Sequence, residues 1–231
     1  MMKRTKLIYF LFMVTIFHLN ILVFPIWSEE VTNQNSYVTI FDDKRLLNRG
    51  TEQYRKYSME ILIEMINDDA LPNEYQRAAA LRVFRENFSN EVVSKEKKDI
   101  EKILLRRLNN TDSPFVQVEI MHTLCLIDRY KYYKSMVPAL IQKLDHYNAT
   151  VNEMAFNGLE NIVAVGNNRT REARIMFDTL KKVLFLSRYR LDKVSTPDNR
   201  LAQKLKLLRW SIKVLGNQEL DELPTEVINL L

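Results

Sequence analysis

The sequence predicts an all-helical protein, and three observations support that fold class. Apolar residues recur at spacings of three and four along most of the chain, which is the period of one face of an α-helix. Only four glycines occur in 231 residues, and the six prolines lie at predicted helix starts or between helices. Long alternations of β-branched and polar residues, which indicate strands, are scarce. With 46% hydrophobic residues, the chain can form one domain with a sizeable core.

The chain begins with a predicted targeting segment, residues 1–28. Three basic residues precede an almost unbroken apolar run from Leu7 to Trp27. Two interpretations remain open: a signal peptide that is cleaved near Ser28, or an uncleaved signal anchor, because a run of 21 residues is long enough to span a bilayer. Both predict an exported body in the periplasm or cell envelope, either soluble after cleavage or anchored in the inner membrane.

Residues 29–50 are predicted to form a linker or arm, and the helical body is predicted to occupy residues 51–231. Its clearest part is a helical hairpin whose polar turn offers Asn148 or Thr150 as the N-cap of the second helix. Pro138 is expected in the first turn of the first helix, and Gly166 at a left-handed C-terminal cap. The two apolar stripes consist of Val137, Leu140, Ile141 and Leu144, and of Val151, Ala155, Leu159 and Ile162.

The same pattern of two stripes recurs upstream, at intervals of 35 and then 41 residues. A hairpin with one apolar side cannot bury that side alone, and repeats of roughly 30–45 residues are typical of stacked helical arrays. One copy consists of Ile103, Leu104, Leu108, Val116, Ile120 and Leu124, and a looser one of Ile61, Leu62, Met65, Ile66, Tyr75, Ala79 and Val83.

These copies resemble HEAT repeats, in which an acidic turn precedes a second helix of pattern Val-Arg-x-x-Ala-x-x-x-Leu. The apolar positions match most closely at Val151, Ala155 and Leu159, and the acidic turns at Asp68, Asp112 and Asp145. The resemblance implies a right-handed α-α superhelix of about four helical hairpins after an N-terminal hydrophobic helix. A tetratricopeptide array has a similar period, but its Trp-Leu-Gly-Tyr first helix and closing proline are missing.

The arginine of the family pattern is replaced in this register by Gln76, Gln117 and Asn152. A shift of the first copy by one residue recovers an arginine, Arg77, but places Gln76 at the valine position. The ladder of contacts that this arginine makes between HEAT repeats is therefore an open point.

The C-terminal part of the body is predicted to contain two long helices separated by an insertion. The first helix spans residues 169–186 and the second residues 201–215, while residues 224–231 form a capping turn. The insertion between them, residues 187–200, is longer than a tight hairpin turn. Loops of this kind frequently carry function, so it is a candidate contact site.

Charge is distributed unevenly along the chain. Residues 29–69 carry nine acids against five bases, whereas residues 180–213 carry ten bases against two acids. The net charge of +5 falls to about +2 without the basic start, so nucleic-acid binding is not expected. The uneven charge instead predicts an acidic protein partner. Candidate contact residues are Arg188, Tyr189, Arg190, Lys193, Lys204, Lys206 and Arg209, with Tyr130, Tyr132 and Tyr133 in a basic, aromatic turn.

The sequence carries no catalytic, phosphate-binding or metal-ligating motif. His122 and His146 are not in a metal-ligand spacing, and the single cysteine, Cys125, is expected to be a small buried residue. We therefore predict no enzyme, no cofactor and no metal.

The function that the sequence favours is an exported scaffold for protein–protein interaction in the cell envelope. One alternative is a membrane-anchored structural subunit, in which the apolar run from Leu7 to Trp27 contacts the bilayer and the body self-associates. The other is an envelope enzyme that acts on polysaccharide, with the tyrosines as a sugar platform.

Overall fold

The computed structural model describes residues 50–70, 73–127, 133–165 and 169–231, all of which belong to one compact unit, Tyr37–Leu231. The fold is all-α, as predicted, and no strand occurs in these residues. The predicted targeting segment and residues 29–49 of the arm lie outside the described residues. The helices are α1 (Met59–Asn67), α2 (Glu74–Phe88), α3 (Ser94–Asn110), α4 (Pro114–Ile127), α5 (Tyr133–Lys143), α6 (Ala149–Val165), α7 (Arg169–Leu191), α8 (Asn199–Leu215), a 3₁₀ helix (Asn217–Glu222) and α9 (Thr225–Ile228).

The first eight helices pack as four consecutive pairs. Each odd-numbered helix contacts the helix that follows it, from α1 with α2 to α7 with α8. A second set of contacts joins helices two positions apart, so α1, α3, α5 and α7 are neighbours, as are α2, α4, α6 and α8. The pairs are therefore adjacent in chain order, an arrangement compatible with an α-solenoid. None of the described helices is long and apolar enough to cross a membrane.

The predicted apolar stripes form the core. All eight residues of the two central stripes are completely buried, and so are Leu108, Val116 and Ile120 of the preceding copy. The loosest copy contains one error, because Ile61 is 45% exposed while its neighbour Leu62 is fully buried. Helix α1 is only nine residues long, and its inward side is defined by Leu62 and Ile66.

The central hairpin differs from its prediction at one end. Asn148 is the N-cap of α6, since its Oδ1 accepts hydrogen bonds from the backbone N–H groups of Thr150 (3.0 Å) and Val151 (3.2 Å). Helix α5, however, begins at Tyr133, so Pro138 lies inside the helix rather than in its first turn. Proline at this position cannot donate to the carbonyl of Lys134, four residues earlier, so α5 lacks that backbone hydrogen bond. Gly166 lies outside the described residues.

Helix α7 is longer than predicted. It continues to Leu191 instead of ending at residue 186, because Leu184 and Leu191 extend its buried side. Half of the predicted insertion over residues 187–200 is therefore helical, and the connection to α8 shortens to residues 192–198. Beyond α8, the predicted capping turn is α9, which packs on α7 through the buried Val227.

A polar side chain of α2, α4 and α6 bonds the backbone at the end of the preceding helix in each of the first three pairs. The Nη2 of Arg77 donates to the carbonyl of Asp68 (2.6 Å), the Nε2 of Gln117 to that of Thr111 (2.7 Å), and the Nδ2 of Asn152 to that of Leu144 (2.5 Å). All three side chains are buried. Arg77, Gln117 and Asn152 therefore occupy equivalent places in the first three pairs, with an arginine in the first and a neutral amide in the next two.

Helices α4, α5 and α6 are in close contact at Gly158. A Cβ atom on this glycine would lie 2.9 Å from the Sγ of Cys125 and 3.1 Å from a Cδ of Leu140. Both distances are shorter than ordinary van der Waals contact, so only glycine fits without a shift of its neighbours. Cys125 is buried in this contact, as predicted from its place on the apolar stripe.

Candidate functional site

Three of the predicted contact residues form ion pairs or hydrogen bonds with other parts of the chain. Lys204 is buried and its Nζ forms an ion pair with Asp145, in the turn after α5. Lys206 pairs with Glu160 of α6 (2.5 Å). Arg209 donates to the backbone carbonyls of the last two residues, both at 2.9 Å.

Lys204 and Arg209 therefore position α8 and the C-terminal residues, whereas the exposed ion pair of Lys206 contributes little. Lys181 of α7 is used in the same way, in an ion pair with Glu222 of the 3₁₀ helix. The acids that pair with this part of the chain come from distant sequence positions. The linear charge count consequently overestimates the free positive charge at this end.

Of the three predicted aromatic contacts, Tyr130 and Tyr132 lie outside the described residues. Tyr133 is the first residue of α5, but its side chain is not among those that are described. The remaining predicted contact residues lie close together along the chain. Arg188, Tyr189 and Arg190 are in the last turns of α7, and Lys193 is in the connection to α8.

A groove lies where α7 ends and α8 begins, and we call it the end groove. Its volume is about 340 Å³. Its apolar lining is Leu184, Leu191, Val194 and Leu201, and its polar lining is Asp145, Ser187, Arg190, Thr196, Asp198, Arg200 and Lys204. Most of the lining comes from residues 187–200, the segment that the sequence singled out as a contact site.

Most polar groups of the end groove already form hydrogen bonds or ion pairs within the chain. Asp198 caps α8, since its Oδ1 accepts from the N–H of Leu201 at 2.8 Å. Ser187 donates its hydroxyl hydrogen to the backbone of α7, with the carbonyl of Leu184 at 3.1 Å. Lys204 and Asp145 neutralise each other.

Two arginines keep positive charge available at the end groove. Arg190 is exposed, and the described residues give it no ion pair. Arg200 donates one long hydrogen bond, 3.3 Å, to the carbonyl of Tyr147. A guanidinium has five N–H donors in a planar fork that matches a carboxylate. The groove can therefore hold an apolar side chain against its leucines and a carboxylate at its edge.

His146 lies beside this edge and adds no charge to it at neutral pH. Burial lowers the pKa of His146 most, and the cations of Lys143 and Arg200 lower it further, whereas the backbone hydrogen bond of Asn148 and the charge of Asp112 act in the opposite direction. Its ring stacks on that of Tyr147, with 4.4 Å between the ring centroids. The positive charge at the groove edge therefore comes from the arginines.

A second surface, which we call the α7 face, lies on the outer side of the same helix. It consists of Lys182, Phe185, Leu186, Arg188 and Tyr189, with Lys193 just beyond the helix. The guanidinium of Arg188 covers both rings, 4.0 Å from the Phe185 centroid and 4.4 Å from the Tyr189 centroid. Sequence analysis missed Phe185 and Leu186. The signal was present, because both lie outside the register of the buried Leu180, Leu184 and Leu191.

The described residues contain no group of three potential metal ligands from histidine, cysteine, aspartate and glutamate. Comparisons with protein-family models, curated proteins and solved structures give no match for this chain. The geometry of the end groove and of the α7 face is therefore the basis for inferring a function.

Proposed function

We propose that this protein is an exported, non-enzymatic scaffold of the cell envelope that binds an acidic protein partner in its end groove. The body would be a HEAT-like, right-handed α-α superhelix. Adjacent helical pairs and the polar side chains that bond the preceding turn support that arrangement. The superhelix would act as a rigid support that presents the groove.

One observation carries the proposal: Arg190 and Arg200 keep unneutralised charge beside an apolar groove. Arginine is enriched at the residues that dominate protein–protein binding energy, and an apolar pocket beside it supplies area that binding removes from water. A partner segment with an acidic residue next to a leucine or phenylalanine would satisfy both features.

The experiment compares capture of envelope proteins by the wild-type chain and by charge-reversed variants. We expect Arg190→Glu combined with Arg200→Glu to lower the affinity for the captured partner at least tenfold, about 1.4 kcal/mol or more. Capture by the wild-type chain should weaken as salt rises, because an exposed charge is screened.

The matched control is Lys206→Glu with Lys213→Glu, which makes the same change of charge on α8 outside the groove. Both lysines are exposed, so we expect this variant to retain capture. Equal loss in the two variants would mean that net charge, and not the groove, determines binding. Full capture by the groove variant would contradict the proposal.

A membrane-anchored structural subunit is the second candidate, and the apolar run from Leu7 to Trp27 favours it. The 21 residues of this run suffice for a bilayer span. Intact mass of the native protein distinguishes the candidates. A mass that begins at Glu29 in the soluble envelope fraction supports the scaffold, whereas a full-length mass in the membrane fraction, in a particle larger than a monomer, supports the subunit.

A further inference from the structure

We propose that the α7 face docks on an anionic lipid bilayer. This function is separate from the end groove, which lies on another side of the same helix. Side chains at positions 182, 185, 186 and 189 follow the spacing of one helical face, while Leu184 and Leu191 point into the core. The two surfaces can thus be occupied at the same time.

The apolar part of the α7 face is strongly exposed. Leu186 is 82% exposed, Tyr189 72% and Phe185 49%. Among the described residues, the other large exposed apolar side chains are more scattered, for example Val93 on its own and Leu126 on α4. Three such side chains within five residues form an apolar patch, and its removal from water is favourable in free energy.

The charge around this patch is positive. Three bases, Lys182, Arg188 and Lys193, lie around it, against two acids nearby along the chain, Asp178 and Asp192. The Nη2 of Arg188 donates to the hydroxyl of Tyr189 at 3.1 Å, so this cation is held among the aromatic groups. Basic residues beside exposed aromatic and leucine side chains are typical of helices that lie in the interface of anionic membranes.

A bilayer fits this face better than a protein partner does. The residues that dominate protein–protein binding usually lie in packed pockets that exclude water. Leu186 instead protrudes, and its neighbours on the face are cations and aromatic rings. A protruding leucine can enter the acyl region while the aromatic rings and the cations remain at the level of the headgroups.

The test places a nitroxide spin label on the full-length chain at Leu186→Cys. Vesicles of phosphatidylglycerol and phosphatidylcholine are compared with vesicles of phosphatidylcholine alone. On the anionic vesicles, we expect the label to lose collisions with a water-soluble nickel complex and to gain collisions with oxygen, which concentrates in lipid. Cys125 is buried, so the wild-type chain gives the background labelling.

Two controls accompany this measurement. Leu126→Cys carries the label on an exposed position of α4, 47% exposed, and should keep its nickel collisions. Lys182→Glu with Lys193→Glu should abolish the protection at position 186, whereas Lys206→Glu with Lys213→Glu on α8 should preserve it. None of these changes affects the buried side of α7.

Four results would overturn the proposal: full nickel access at position 186 on anionic vesicles, equal protection at position 126, equal protection on uncharged vesicles, or protection that survives charge reversal on the face. A label that loses mobility without gaining oxygen collisions reports contact with protein, and this result also contradicts docking on lipid. Because position 186 itself is probed, the results do not depend on whether the N-terminal segment is cleaved.

Discussion

The contact between α2 and α4 and the contact between α6 and α8 occupy equivalent places in the fold but differ in chemistry. Between α2 and α4, the buried Glu119 accepts from the Nε of Arg82 at 2.8 Å and forms a second ion pair with Arg85. Between α6 and α8, the amide of Asn152 donates to the Oε1 of Gln203 at 3.0 Å. The buried part of the first contact is therefore ionic and that of the second is neutral, because the Lys206–Glu160 ion pair between α6 and α8 is exposed.

This difference shows how to recognise a binding site in a basic chain. Arg82 and Arg85 are as basic as Arg190 and Arg200, yet the carboxylate of Glu119, 37 and 34 residues away, forms ion pairs with both of them inside the fold. Within the described part of the chain, no carboxylate forms an ion pair with the arginines of the end groove, and Asp198 of the same lining caps α8. The position of the compensating carboxylate therefore decides which cations bind a partner, and the density of bases along the sequence does not.

Removal of the carboxylate at the ionic contact is expected to have the largest effect. Glu119→Gln leaves two largely buried guanidinium groups without their anion. We expect the free energy of unfolding to fall by about 3–5 kcal/mol, as measured by urea denaturation. Glu160→Gln is the control, since its ion pair with Lys206 is exposed, and it should cost less than about 1 kcal/mol. Equal losses would mean that burial does not distinguish the two pairs.

Truncation at the neutral contact is expected to have an intermediate effect. Asn152→Ala removes the bonds to Leu144 and to Gln203, and we expect a loss of about 1–3 kcal/mol by the same measurement. Asn157→Ala changes an exposed residue of the same helix and should lie within about 0.5 kcal/mol of the wild type. A loss at Asn152 as large as at Glu119 would remove the distinction between the contacts.

The smallest effect is expected from acidification. One histidine, His122, lies near the ionic contact, and another, His146, lies at the edge of the end groove. Burial lowers the pKa of His122, aided by Arg85 and Arg82 against Glu119, and burial also lowers the pKa of His146. Below about pH 6.5 the unfolded chain therefore binds these protons more readily than the folded chain. Stability should be complete above this pH and decline as the pH falls toward the folded values.

The measurement is the free energy of unfolding between pH 7.5 and about pH 5, near the ordinary range of a histidine pKa. His122→Gln and His146→Gln should each make the decline shallower. His122 tests the region of the ionic contact and His146 the edge of the end groove. An unchanged slope in both variants would assign the pH dependence to other groups.

The core was predictable because burial follows a local pattern. The stripe at Val151, Ala155 and Leu159 is specified by spacing within one helix, and it is buried as expected. The role of Lys204 was not predictable in this way, since its partner Asp145 lies 59 residues away. No local pattern identifies which acid a lysine meets after folding.

The length of α7 was predictable in principle. Arg188 and Arg190 occupy its last turn, where cations interact favourably with the helix dipole. The predicted insertion over residues 187–200 instead places these charges in a loop. The superhelical arrangement is a proposal, because it depends on the angles between pairs and not on the period of any one helix.

The close contact at Gly158 has a geometric consequence for the binding surface. Helix α6 rests on α4 and α5 at this residue, and the last pair rests in turn on α5 and α6. The absence of a side chain at this residue lets the Sγ of Cys125 and the Cδ1 of Leu140 approach the backbone of α6. A larger residue would first have to displace these two side chains, one on α4 and one on α5. The spacing of three helices in the middle of the stack thus depends on one hydrogen atom, at a distance along the chain from the arginines of the end groove.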